Sequence, residues 1–117
     1  MRNSEKDLAA RTKSFASRII RLYVALPKET VAQVLGMQAL RSGTSVGANH
    51  REASRARSKA EFISKVGDCL KEADETTYWL ELLADEEIVS KKTTGAVITR
   101  NQRVDFHTRN HFKEGAR

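Results

Sequence analysis

Gly36, Gly43 and Gly47 stand seven and four residues apart in a stretch otherwise suited to a helix. At 3.6 residues per turn those spacings put all three on one side, where a neighbouring backbone can come close. Each glycine costs a helix about 1 kcal/mol relative to alanine. Such a helix therefore needs partners packed along it. The surrounding segment, Gln38 to Arg57, reads QALRSGTSVGANHREASRAR and carries Arg41, Ser45, Asn49 and Glu52 at i, i+4, i+8 and i+11 on another face. The alternative is a break between Gly43 and Ser45, with a new helix starting at Ser45 or Val46.

The rest of the chain supplies the partners. Leu8, Thr12, Phe15, Ile19, Leu22 and Leu26 recur in alternating steps of four and three, the narrow stripe of a bundle helix. This first helix is expected from about Ser4, a plausible cap, to Leu26, and Pro27 ends it. A second starts at Glu29 or Thr30. Ser58 and Glu61 form an S-x-x-E capping box ahead of a third, whose apolar face runs Phe62, Val66, Cys69, Ala73, Thr76, Leu80, Leu83. Small and polar residues between the second and third helices call for internal hydrogen bonds. Glu72 and Glu75 are the candidate acceptors for Arg41 or Arg51. With Ser45, Asn49 and Glu52 they make a polar network expected to set helix register rather than to do chemistry.

The third helix ends with Tyr78, Trp79, Leu80, Leu82 and Leu83, apolar nearly all the way round. One bundle core can cover only one side. Tyr78 and Leu82, or Trp79 and Leu83, are therefore expected to touch another subunit. Ser90 can cap a fourth helix. After Thr99 the apolar pattern degrades, and the sequence predicts a helix that fades within a few residues and leaves Arg109 to Arg117 mobile. Back-translated with permitted codons and read one base forward, Asn101 to Ala116 can encode INELISILVITLKKA, an amphipathic helix. An altered reading frame is the expected origin of this tail.

LRSGTSVGANHREA, followed by SKAEFISKVGDCLKEADETTYWLELL, resembles the four-helix-bundle proteins encoded in intervening sequences of bacterial large-subunit ribosomal RNA genes. More distantly it resembles the accessory variability proteins of diversity-generating retroelements. The resemblance spans about Asp7 to Thr99. It implies a left-handed up-down bundle assembled as a homo-oligomeric ring, a pentamer, without catalytic residues, and nucleic acid as a partner.

The expected fold is all-α, a single antiparallel up-down four-helix bundle domain with an incomplete fourth helix and residues 100–117 as an atypical tail. The net charge of +6 is unevenly spread: residues 1–28 carry +5, 29–57 carry +2, 58–88 carry −6 and 89–117 carry +5. That pattern fits charge pairing between helices or subunits, and it also fits a basic surface for a polyanion. Arg2, Lys6, Lys13, Arg21 and Lys28 lie opposite the apolar stripe of the first helix and form the candidate row for RNA or DNA phosphates. A structural or partner-binding scaffold without nucleic acid is the alternative.

Enzymatic patterns are weak. Gly43 to Gly47 lacks the Lys that a phosphate-binding loop needs. His107 and His111 have no further ligand at metal spacing. His50 and Glu52 have no accompanying nucleophile. The lone Cys69 sits on the core face and excludes an internal disulfide. No cofactor, metal or small-molecule substrate is expected. No apolar run reaches membrane-spanning length and the N-terminus lacks a leader's apolar core, so the expected location is the cytoplasm.

Overall fold

The computed structural model describes the backbone of residues 3–116 and the side chains of residues 6–104, 108 and 109. Among the described residues four helices and no strand occur: α1 (Asn3–Val24), α2 (Thr30–Ser54), α3 (Lys59–Asp85) and α4 (Lys91–Ala116). They form an all-α four-helix bundle, 46 × 21 × 18 Å. Its length matches a 27-residue helix such as α3, which rises about 40 Å. Each helix packs on two neighbours, in the cycle α1–α2–α3–α4–α1, and among the described residues diagonal pairs do not meet.

In α1 the whole stripe of Leu8, Thr12, Phe15, Ile19 and Leu22 is buried, together with Leu26 just beyond the helix. Pro27 follows in a turn held from both sides. The Tyr23 hydroxyl donates to Gln33 Oε1 at 2.9 Å, and Gln33 Nε2 donates to the Pro27 carbonyl at 2.9 Å.

α2 is continuous through its glycines, so the break considered near Gly43 does not occur. Close packing explains why. A Cβ on Gly43 would lie 2.8 Å from Ile19 Cγ1, and one on Gly47 would lie 3.3 Å from Thr12 Oγ1. The glycine face is thus the bed in which α1 lies. On the other side of α2, the Thr76 hydroxyl donates to Ser42 Oγ at 2.8 Å, Ser42 donates to the Gln38 carbonyl at 2.9 Å, and Cys69 Sγ donates to the Val46 carbonyl at 3.3 Å.

Ser58 caps α3, its hydroxyl accepting from the Glu61 N–H at 3.1 Å. Glu61 returns the favour one residue early, to the Arg57 N–H at 3.4 Å. The far end of α3 closes with Glu87 at φ 58°. There the Ile88 N–H donates to the Leu83 carbonyl at 2.9 Å and the Glu87 N–H to the Ala84 carbonyl at 3.0 Å. This is the left-handed helix stop normally given to glycine, with Ile88 packed back on the core.

The expectation of a helix fading after Thr99 is corrected: α4 continues to Ala116. Thr94, Val97, Asn101, Val104 and Thr108 are buried at alternating steps of three and four. The donors of its polar members find partners. Asn101 Nδ2 donates to the Ala73 carbonyl and to Thr77 Oγ1, each at 2.6 Å, and Thr108 donates to the Val104 carbonyl at 2.7 Å. Hydrogen-bonded threonine and asparagine do the work of apolar residues, so a stripe that reads as broken is structurally intact. The side chains of Phe106, His107, His111 and Phe112 lie outside the described residues.

Candidate nucleic-acid interface

The outer face of α1 is basic because its inner face is spent on the core. Lys6, Lys13 and Arg21 are exposed. Two members of the expected row are not on it: Lys28 lies beyond the end of α1, in the turn after Pro27, and Arg2 lies outside the described residues. α1 nevertheless has basic residues on both flanks.

Toward α2 a groove of about 480 Å³ has a floor of small residues, including Ala9, Ala16, Gly47 and Ala48, and a rim of Lys13, Arg51 and Arg55. The glycine face that admits α1 also keeps this groove open. Glu52, on the same rim, is engaged by Lys65 of α3 at 2.8 Å. That hydrogen bond, with the Glu52 charge, holds the Lys65 ammonium above its ordinary range. Toward α4 a smaller cleft of about 170 Å³ is lined by Arg11, Ser14, Phe15, Arg100, Arg103 and Val104. Arg11 is paired with Asp7 at 2.8 Å. Partial burial, then the neighbouring charges of Arg18 and Arg103, pull the Arg100 guanidinium below its ordinary value.

The basic surface is therefore wider than the row read from sequence. Arg51, Arg55, Arg11, Arg18, Arg100 and Arg103 were missed. Arg11 and Arg18 sit seven residues apart beside the apolar stripe, a signal available in the sequence but outweighed by the residues directly opposite that stripe. Arg100 and Arg103 belong to the segment read as a fading tail.

The polar network divides. Arg41 reaches Glu72 at 3.1 Å and also pairs with Glu75, bridging α2 and α3. Ser45 turns back to the Arg41 carbonyl at 2.7 Å. Glu52 goes to Lys65, away from that cluster. Half-buried Asn49 has no side-chain hydrogen bond among the described residues, and Arg51 joins the groove. One helix face thus divides between two turns of the same neighbour, because Arg41 and Glu52 oppose different turns of α3.

At the end of α3, Tyr78 is 55% exposed and stacks edge-on against Trp79 with ring centroids 5.1 Å apart. Trp79 and Leu82 are half-buried, and Trp79 Nε1 donates to Glu75 at 3.2 Å. Leu83 is corrected: it is fully buried in its own bundle and offers nothing to another subunit. The apolar surface instead extends to exposed Ile20 and Val24 of α1 and Val31, Val34 and Met37 of α2. No described group of His, Cys, Asp or Glu residues could hold a metal ion, and no described helix is long and apolar enough to cross a membrane.

Residues 5–106 match the family model for 23S rRNA-intervening sequence proteins. The fold matches the crystal structure of a protein of unknown function from the S23 ribosomal protein family of Bacteroides thetaiotaomicron. That protein is 38% identical, with a TM-score of 0.89, and the match covers 94% of this chain and 98% of that one. No curated protein matches the sequence significantly.

Proposed function

The chain belongs to the family of 23S rRNA-intervening sequence proteins, and from that premise we propose that it is a non-enzymatic, cytoplasmic, homo-oligomeric protein that binds structured RNA or DNA. One observation carries the reading: α1 presents exposed Lys6, Lys13 and Arg21 between two clefts that are themselves rimmed by arginines. Among the described residues carboxylates are scarce there, and Asp7 and Glu52 are already engaged. Such a surface suits a phosphate backbone, whose recognition is mainly a matter of placed positive charge. The hydroxyls that line the α2 groove, Thr12 and Thr44, donate to the carbonyls of Ala9 and Leu40, which supports a non-enzymatic reading. The exposed apolar residues at the α1–α2 end support self-association.

The test is binding of a structured RNA measured against salt. Affinity should fall steeply between low and moderate salt, with a slope of about one unit per phosphate contact. Reversing Lys13 and Arg21 together should weaken binding and flatten that slope. A protein that stays unbound at low salt, yet remains oligomeric, is a scaffold and not a nucleic-acid binder.

A further inference from the structure

α1 and α4 run antiparallel, with Phe15 and Val104 at the floor of the cleft between them. Two guanidinium groups of α4, Arg100 and Arg103, line this cleft, and a third, Arg18 of α1, lies close enough for its charge to act on Arg100. None of the three has a carboxylate partner among the described residues. Arg11, at the other end of the cleft, has Asp7. We infer that this cleft is a phosphate seat, in which Arg100 and Arg103, with Arg18 beside them, grip a phosphodiester group of a nucleic-acid backbone. The inference rests on the nucleic-acid reading above and names the part of the basic surface where the backbone is held.

Burial lowers the Arg100 guanidinium below its ordinary value, and the like charges of Arg18 and Arg103, which have no carboxylate partner among the described residues, lower it further. An anion seated between them removes the cost. The size of the cleft selects the anion. At about 170 Å³ it is smaller than the roughly 300–1,000 Å³ that encloses a drug-sized ligand. A phosphate group fits, and a whole nucleotide does not. Phe15 is only 1% exposed, so it has no face on which a base could stack. Recognition here is therefore of backbone and not of base. Arginine suits the task because its planar fork can donate two parallel hydrogen bonds to phosphate oxygens, and the Ser14 hydroxyl at the rim adds another donor.

The test uses the full chain, a labelled RNA hairpin, and inorganic phosphate as a separate probe. Arg18→Gln combined with Arg103→Gln should weaken hairpin binding about tenfold or more at low salt. It should also reduce the salt slope by about two units, one for each lost contact. Arg100→Lys keeps the charge and removes the fork, so it should weaken binding while leaving the slope unchanged. Exposed Arg103→Gln alone, losing one unit, decides the matter if the double variant melts early by circular dichroism. Wild-type affinity and slope in these variants, with loss in Lys13→Gln plus Arg55→Gln, overturn the cleft and leave the nucleic-acid reading standing. No hairpin binding by the unaltered protein overturns both. If inorganic phosphate alone saturates the cleft while the hairpin does not bind, the cleft is a small-anion site and the inference fails.

Discussion

Glycine marks where this bundle is tight, and its replacement separates close packing from helix propensity. At Gly43 an added Cβ meets the branched root of Ile19 at 2.8 Å, which cannot swing aside as a chain end would. Gly43→Ala should therefore destabilise by about 1–3 kcal/mol despite the better helix former. Gly67, on the exposed side of α3, has nothing within 4 Å. Gly67→Ala should stabilise by about 1 kcal/mol. Urea unfolding of the two variants checks both signs, and equal shifts would refute the distinction. Glu87 is the converse case, a side chain where the backbone wants none. Glu87→Gly should raise stability by about 1 kcal/mol by relieving the left-handed conformation. The glycine face of α2 was legible because its spacing admits one geometry. Glu87 was not, since nothing local tells a left-handed glutamate from any acidic loop residue. Asn49 shows the same limit. Its place beside Arg41 and Ser45 suggests a buried partner, yet it has none among the described residues. Asn49→Ala should change stability by less than about 0.5 kcal/mol.

Stripes were readable at the scale of the helix wherever they were apolar. α1, α3 and the start of α2 follow from spacing and caps alone. α4 did not, because Thr94, Asn101 and Thr108 look like interruptions until their hydrogen bonds are seen. Asn101 anchors α4 to α3 by two bonds from one amide, while its Oδ1 remains buried without a partner. Asn101→Ala should cost about 1–3 kcal/mol. Amide exchange through Val104 should be slowed in the wild type and faster in the variant, and an unprotected Val104 would refute the packed helix. The basic surface was half visible for a related reason. Lys6, Lys13 and Arg21 stand out as a row, but Arg100 and Arg103 acquire meaning only once α4 is laid against α1. The coding DNA decides separately whether a neighbouring frame held a more apolar α4.

The molecule as a whole separates basic surface, along two long sides, from exposed apolar surface at one end. Basic clefts flank α1, and exposed Val24, Val31, Val34 and Tyr78 gather toward the end formed by the α1–α2 and α3–α4 turns. Val34→Lys with Tyr78→Lys should lower the mass seen by light scattering at micromolar concentration. It should leave the hairpin's salt slope unchanged, because that slope belongs to other residues; an unchanged mass would place the association elsewhere. The cyclic packing, in which each helix meets only its chain neighbours until α4 returns to α1, also has a kinetic meaning. Three of the four seams join consecutive helices and close short loops, whereas the α1–α4 seam must close a loop nearly as long as the chain. That seam should form last. Deletions in the α2–α3 seam, such as Thr76→Val, should then slow folding, and Val104→Ala in the closing seam should speed unfolding and hardly touch the folding rate. The cleft that gathers the arginines is thus also where the chain would first come apart, and a polyanion bound there would act as a brake on unfolding.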